Sequence, residues 1–157
     1  MIEITGNIWK FYDAGNWIVI TTNGTISYDK REQPCCVMGA GVAKQAKKRF
    51  CYLPGILGQL IVATGNNVYK LPQYKLYTLP VKFNWWEKAD IGLIVRSCEQ
   101  LAHLVPKGKT VYMVRPGCGA GRLAWRNVKR RIEGLLDDRF VVVGLPHLGI
   151  LTITGAK

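Results

Sequence analysis

Thr110-Val111-Tyr112-Met113-Val114-Arg115-Pro116-Gly117-Cys118-Gly119-Ala120-Gly121-Arg122 runs from an apolar segment suited to a buried strand into a glycine-rich turn. Residues 125–136 follow, with Val128, Ile132, Leu135 and Leu136 at helical spacing. Phe140-Val141-Val142-Val143 then reads as a second buried strand. Strand, glycine turn, helix and strand in this order form the unit from which parallel sheets are built.

The rest of the chain extends the pattern. Ile8-Trp9-Lys10-Phe11 and Trp17-Ile18-Val19-Ile20-Thr21 read as strands around the turn Asp13-Ala14-Gly15-Asn16. Residues 27–34 are polar and read as a surface loop, and residues 42–50 as a helix with Val42, Ala43 and Ala46 on one face. Leu60-Ile61-Val62-Ala63, residues 67–71 and residues 75–79 are expected as short strands, the last ended by Pro80. Residues 89–104 read as a helix with Asp90 in its first turn. The expectation is one α/β domain over residues 1–157 with a mixed, mainly parallel sheet, whose ligands sit beyond the C-terminal strand ends.

Composition narrows the class. The 157 residues suffice for a substantial core, and 48% of them are hydrophobic, which argues against disorder. No apolar run is long enough to cross a bilayer, and no signal peptide opens the chain. Cys35, Cys36, Cys51, Cys98 and Cys118 are odd in number and form no C-x-x-C pair, so a reducing cytoplasm is expected. His103 and His147 have no ligand-spaced partner, and neither a metal nor a cofactor is expected. The net charge of +12 points to a polyanionic partner, unless it is simply a solvated basic surface.

Two glycine loops carry the chemistry: Met38-Gly39-Ala40-Gly41-Val42 and Pro116-Gly117-Cys118-Gly119-Ala120-Gly121. Each precedes a helix, and bare backbone at a helix N-terminus binds phosphate, so a diphosphate held between the loops is expected. Neither loop is a dinucleotide fingerprint, because Lys44 and Arg122 occupy the third glycine positions. Gly108-Lys109-Thr110 fails as a Walker A ending, since His103 stands where the first glycine must be. Lys82, beside Val81, Phe83 and Trp85, has two readings: an exposed lysine in a turn, or a desolvated nucleophile. Trp85 and Trp86 are either base-stacking platforms or a partly buried pair opening a helix.

The chain resembles the macrodomains, specifically the branch of DarG-like and terminal ADP-ribose glycohydrolases. The matching segments are Gly6-Asn7-Ile8, Val19 to Asn23, Met38 to Ala43, Leu79-Pro80-Val81-Lys82 and Gly117 to Trp125, in the family's order. The resemblance implies a three-layer α/β/α fold with ADP-ribose in a cleft above the sheet. It places Asn7 and Ile8 near the adenine and Asn23 near the distal ribose. It sets Gly39, Ala40, Gly41 and Val42 with Gly117, Cys118, Gly119, Ala120, Gly121, Arg122 and Leu123 around the diphosphate and distal ribose. It makes Lys82 the catalytic lysine, attacking the anomeric carbon of the distal ribose.

Gly121 stands where the terminal glycohydrolase type has a catalytic aspartate; the DarG type has glycine there. Val81 replaces a threonine, and residues 24–36 are longer than the family pattern. The resemblance therefore implies removal of ADP-ribose from a nucleobase in single-stranded DNA. Lys44, Lys48, Trp85 and Arg126 are candidate nucleic-acid contacts, and an ADP-ribosyltransferase toxin is a candidate partner, with no membrane involved. Hydrolysis of ADP-ribose from protein carboxylates or small esters, and binding without turnover, stay open. Ile150-Leu151-Thr152-Ile153 in the tail is a candidate edge strand or subunit contact.

Overall fold

Side chains alternate across β2 (Trp17–Asn23): Ile18 and Ile20 enter one hydrophobic core and Val19 the other. A strand apolar on both faces belongs in the middle of a covered sheet. The computed structural model, which describes residues 1–146, places it there. The main sheet has the order β1 (Ile2–Thr5), β8 (Phe140–Gly144), β7 (Val111–Val114), β2, β6 (Leu76–Lys82) and β5 (Lys70–Leu71). All neighbours are parallel except β5, which runs antiparallel to β6.

Helices α1 (Ile8–Asp13), α2 (Gly41–Arg49) and α3 (Leu53–Thr64) cover one face. Helices α4 (Ile91–Leu104) and α5 (Trp125–Ile132) cover the other, giving the three-layer α/β/α arrangement with a mixed, mainly parallel sheet. Among the described residues, no helix is long and apolar enough to cross a membrane, and all five cysteines are free. The candidate edge strand at residues 150–153 lies outside the described residues.

Several local expectations are corrected. Residues 8–11 are helical: Asn7 caps α1 by accepting from the Trp9 amide at 2.9 Å, and Phe11 stacks on Tyr112 of β7 at 4.5 Å. Residues 60–63 lie inside α3, where an apolar run buries helically. The polar segment 27–34 is not all loop, because β3 (Ile26–Tyr28) and β4 (Pro34–Cys36) pair as an antiparallel hairpin. The strand expected over residues 67–71 contracts to β5. Pro80 does not end β6; β5 pairs only with Leu76 and Tyr77, leaving Pro80 on a stretch with one open edge that tolerates proline. Asp90 is the N-cap of α4, its carboxylate accepting from the Leu93 amide at 2.8 Å. The last helix ends at Ile132.

The hairpin stands outside the main sheet, and α3 fixes it. A Cβ on Gly58 would lie 2.5 Å from the Pro34 carbonyl oxygen and 2.7 Å from the Cys35 Cα, so helix and hairpin meet backbone to backbone. Gly58→Ala adds helix propensity worth about 0.5–1 kcal/mol, against a packing penalty of about 1–3 kcal/mol. A net loss of stability is expected in urea denaturation, and an unchanged or higher midpoint would show that the hairpin gives way freely.

Candidate active site

Five parallel strands bring their C-terminal ends to one edge of the sheet, and a cleft of about 1000 Å³ lies there. β1 leads to Asn7 and Ile8, β8 to Leu145, β7 to Arg115 and the second glycine loop, β2 to Asn23, and β6 to Lys82. A parallel sheet gathers chemistry this way because every crossover returns the chain to the same end.

The two loops offer their amides differently. Ala40 precedes α2 in an extended conformation and supplies no side-chain cap, so the first-turn amides of Gly41, Val42 and Ala43 remain open. Gly41 takes φ +56° to make this entry. The first loop follows β4 of the hairpin, not a strand of the main sheet. The second loop does not present a helix start, because residues 117–124 intervene before α5. It closes on itself: the Leu123 amide donates to Gly117 O at 2.9 Å and Arg122 to Gly119 O at 3.0 Å. Among the described residues, the amides of Gly119, Ala120 and Gly121 have no protein acceptor. Both jaws therefore expose backbone donors, and among the described residues no acidic side chain lines the cleft.

Lys82 is half-buried at the end of β6, and the β2 bulge after Thr22 brings Asn23 opposite it. Its Nζ donates to the Trp85 carbonyl at 3.1 Å and the Ala120 carbonyl at 3.2 Å. Burial pushes the amine below the ordinary lysine range, and the nearby Arg122 guanidinium adds to that. The side chain is thus partly withdrawn from solvent, lying between the two readings open in the sequence. Cys118 also lines the cleft, but burial pushes its thiol up to about 11, which leaves it a poor nucleophile.

Gly121 is closed to any side chain. A Cβ there would sit 2.5 Å from Gly117 O and 2.7 Å from the Ala89 Cβ. Gly117, at φ +73°, is equally confined by Ile94, Ala89 and Leu123.

Asn7, Ile8, Asn23, Lys82, Trp85, Leu123 and the other glycine-loop candidates through Gly121 line the cleft. Arg122 does not: it is exposed, at φ +63°, and bears on the site through its charge at Lys82. Asn23 is already engaged, donating to Val37 O at 2.9 Å and accepting from the Thr25 amide at 2.9 Å; it ties β2 to the strap leading to the first loop. Lys44, Lys48 and Arg126 are exposed outside the cleft lining. Trp85 and Trp86 are 55% and 60% exposed, set edge to face at 5.9 Å in the segment before α4, so the pair does not open a helix. Sequence reasoning missed Gln45, whose Oε1 accepts from Trp9 Nε1 at 2.8 Å, and Arg115. A cation placed directly after a buried strand was the available signal for Arg115.

No protein-family model matches the chain. It is 33% identical over 104 residues to human ADP-ribose glycohydrolase OARD1, covering 65% of this chain and 68% of the relative. The bovine protein of the same name matches over the same shares. Among solved structures, the Mycobacterium tuberculosis DarG macrodomain superposes with a TM-score of 0.69 at 19% identity, covering 92% of this chain and 97% of that one. The Thermus aquaticus DarG macrodomain gives 0.67 at 20% identity over the same shares. Thermosipho africanus DarTG in complex with ADP-ribose gives 0.65 at 18%, covering 92% of this chain and 41% of that one. At these identities the structural likenesses speak to fold, whereas the likeness to OARD1 speaks to descent. The chain belongs to the macrodomain family, as a relative of ADP-ribose glycohydrolase OARD1.

Proposed function

We propose that the protein is an ADP-ribosyl glycohydrolase that removes ADP-ribose from a nucleobase in single-stranded DNA. The observation that carries this reading is the half-buried Lys82, whose amine lies in a cleft with two loops that expose amides to an anion. Relatives named ADP-ribose glycohydrolase, and a structural neighbour solved with ADP-ribose, support the ligand. The net charge of +12 and the exposed Trp85 and Trp86 beside Lys82 support a nucleic-acid substrate. The modified base would be the product of an ADP-ribosyltransferase, the toxin of a pair in which this protein is the cytoplasmic antidote.

In the reaction, the neutral Lys82 amine donates its lone pair to the anomeric carbon of the distal ribose. The glycosidic bond breaks as the new bond forms, and the base departs with the bonding pair and takes up a proton. Positive charge builds on the sugar as this happens. Water then adds at the same carbon and the amine leaves, yielding free ADP-ribose and an unmodified base. Gly121 leaves the loop without a carboxylate to activate a water directly. Buried Val81 keeps the neighbourhood of the amine dry.

Lys82→Ala is expected to lower kcat on ADP-ribosylated single-stranded DNA on the order of 10⁴-fold, the scale of losing a catalytic nucleophile. The lysine–sugar adduct can open its ring to a Schiff base as the ring C–O bond breaks. Borohydride added during turnover should reduce that C=N bond and leave one ADP-ribose on the Lys82 peptide of the parent protein, read by mass spectrometry. Equal activity in the variant overturns the lysine mechanism. Turnover of ADP-ribosylated glutamate with none on DNA would move the substrate to proteins.

The proton must leave Lys82 before attack, so kcat/KM should rise with pH through the amine's depressed titration. Arg122→Gln removes one of the two causes of that depression and should shift the rising limb to higher pH, still short of a free lysine. A limb that stays in place would show that another group controls the rate.

Trp85→Ala should weaken the DNA substrate roughly tenfold or more while leaving ADP-ribose binding intact, as expected for one lost base stack. An equal loss for both ligands in a calorimetric titration would assign Trp85 to cleft architecture.

A further inference from the structure

We propose that Arg115 is the cleft's anion-binding side chain, taking the adenosine-side phosphate of ADP-ribose; this rests on the ADP-ribose reading above. Arg115 directly follows β7 and, with Lys82, is one of two charged residues lining the cleft among the described residues. Among the described residues its guanidinium forms no ion pair or hydrogen bond, and its Nε is buried without a partner. Buried donors are normally paired, so an Nε–H left in this state, on a fork whose other donors meet no protein acceptor among the described residues, calls for an acceptor from outside the chain.

The surroundings explain why no protein group supplies one. The nearby carboxylate of Glu3 is committed on both oxygens: Lys129 Nζ lies 2.6 Å from Oε2, and Trp125 Nε1 donates to Oε1 at 2.8 Å. The guanidinium lies against bare backbone at Gly144, where a Cβ would meet Nη2 at 2.8 Å and Nε at 3.1 Å. Its Cζ is 5.4 Å from the Trp125 ring centre, which holds the group without using its donors. Glycine on one side and an aromatic ring on the other leave the fork oriented and unpaired.

Its place in the strand order selects the phosphate. On one side, β8 and β1 lead to Asn7 and Ile8; on the other, β2 and β6 lead to Lys82. Arg115 stands two strands from Lys82, on the order of 10 Å at ordinary strand spacing. The distal ribose and diphosphate bridge a separation of that order. The amide loops thus supply neutral donors, and Arg115 supplies the charge that opposes the diphosphate, in a fork suited to two phosphate oxygens.

The test is an NMR and calorimetric titration of the protein, Arg115→Gln and Arg115→Lys with adenosine, AMP and ADP-ribose. Arg115→Gln should weaken AMP and ADP-ribose on the order of 10- to 100-fold and leave adenosine unchanged; Arg115→Lys should recover part of the loss. Unchanged affinity for AMP in Arg115→Gln, or an equal loss for adenosine and AMP in both variants, overturns the assignment. Failure of the parent protein to bind ADP-ribose at all overturns the underlying functional reading instead, and the inference with it.

Discussion

The Ala89 amide donates to the Gly121 carbonyl at 3.0 Å, and the site's geometry depends on that contact. It joins the second glycine loop to the segment between β6 and α4, where Lys82 begins and Asp90 caps the helix. The Asp90 amide in turn donates to Val81 O at 2.9 Å, so the segment is pinned at both ends. A side chain at Gly121 would meet the Gly117 carbonyl and the Ala89 Cβ, and one at Gly117 would meet Ile94, Ala89 and Leu123 side chains. The lysine amine and the loop amides are consequently held in one frame, as preorganised polar groups must be to act on developing charge. Asn23 makes the equivalent tie on the other side, from β2 to Val37.

Elements whose local signals agree with their tertiary setting were legible from residues alone. Thr110 to Val114 is apolar, ends in glycine, and becomes β7; Trp17 to Thr21 and Phe140 to Val143 behave likewise. The misread elements are those decided elsewhere in the chain. Ile8-Trp9-Lys10-Phe11 has strand-like composition, yet it is helical because Asn7 caps it and Phe11 finds Tyr112 more than a hundred residues away. Leu60 to Ala63 is apolar, with β-branched Ile61 and Val62, yet it lies inside α3, where Gly58 lets the helix rest on the hairpin backbone. Asp90 was placed one position too far in, a usual uncertainty at helix ends.

Residues that line the cleft were legible as well, because glycine loops and a lysine at a strand end stand out in a sequence. What sequence could not supply was engagement. Asn23 looked free and is bonded on both sides of its amide, while Arg115 looked incidental and has no partner among the described residues. Arg122 sits in the motif yet is exposed and outside the cleft lining, acting on Lys82 through its charge.

The two jaws of the cleft differ in how they are mounted. The second loop grows from the central sheet and is locked to the β6–α4 segment, whereas the first hangs from a two-stranded appendage attached through α3 and the Asn23 amide. A ligand therefore meets one fixed wall and one wall on a lighter support. The backbone contact at Gly58, which lies outside the cleft lining, thus sets how firmly one of the cleft's walls is mounted.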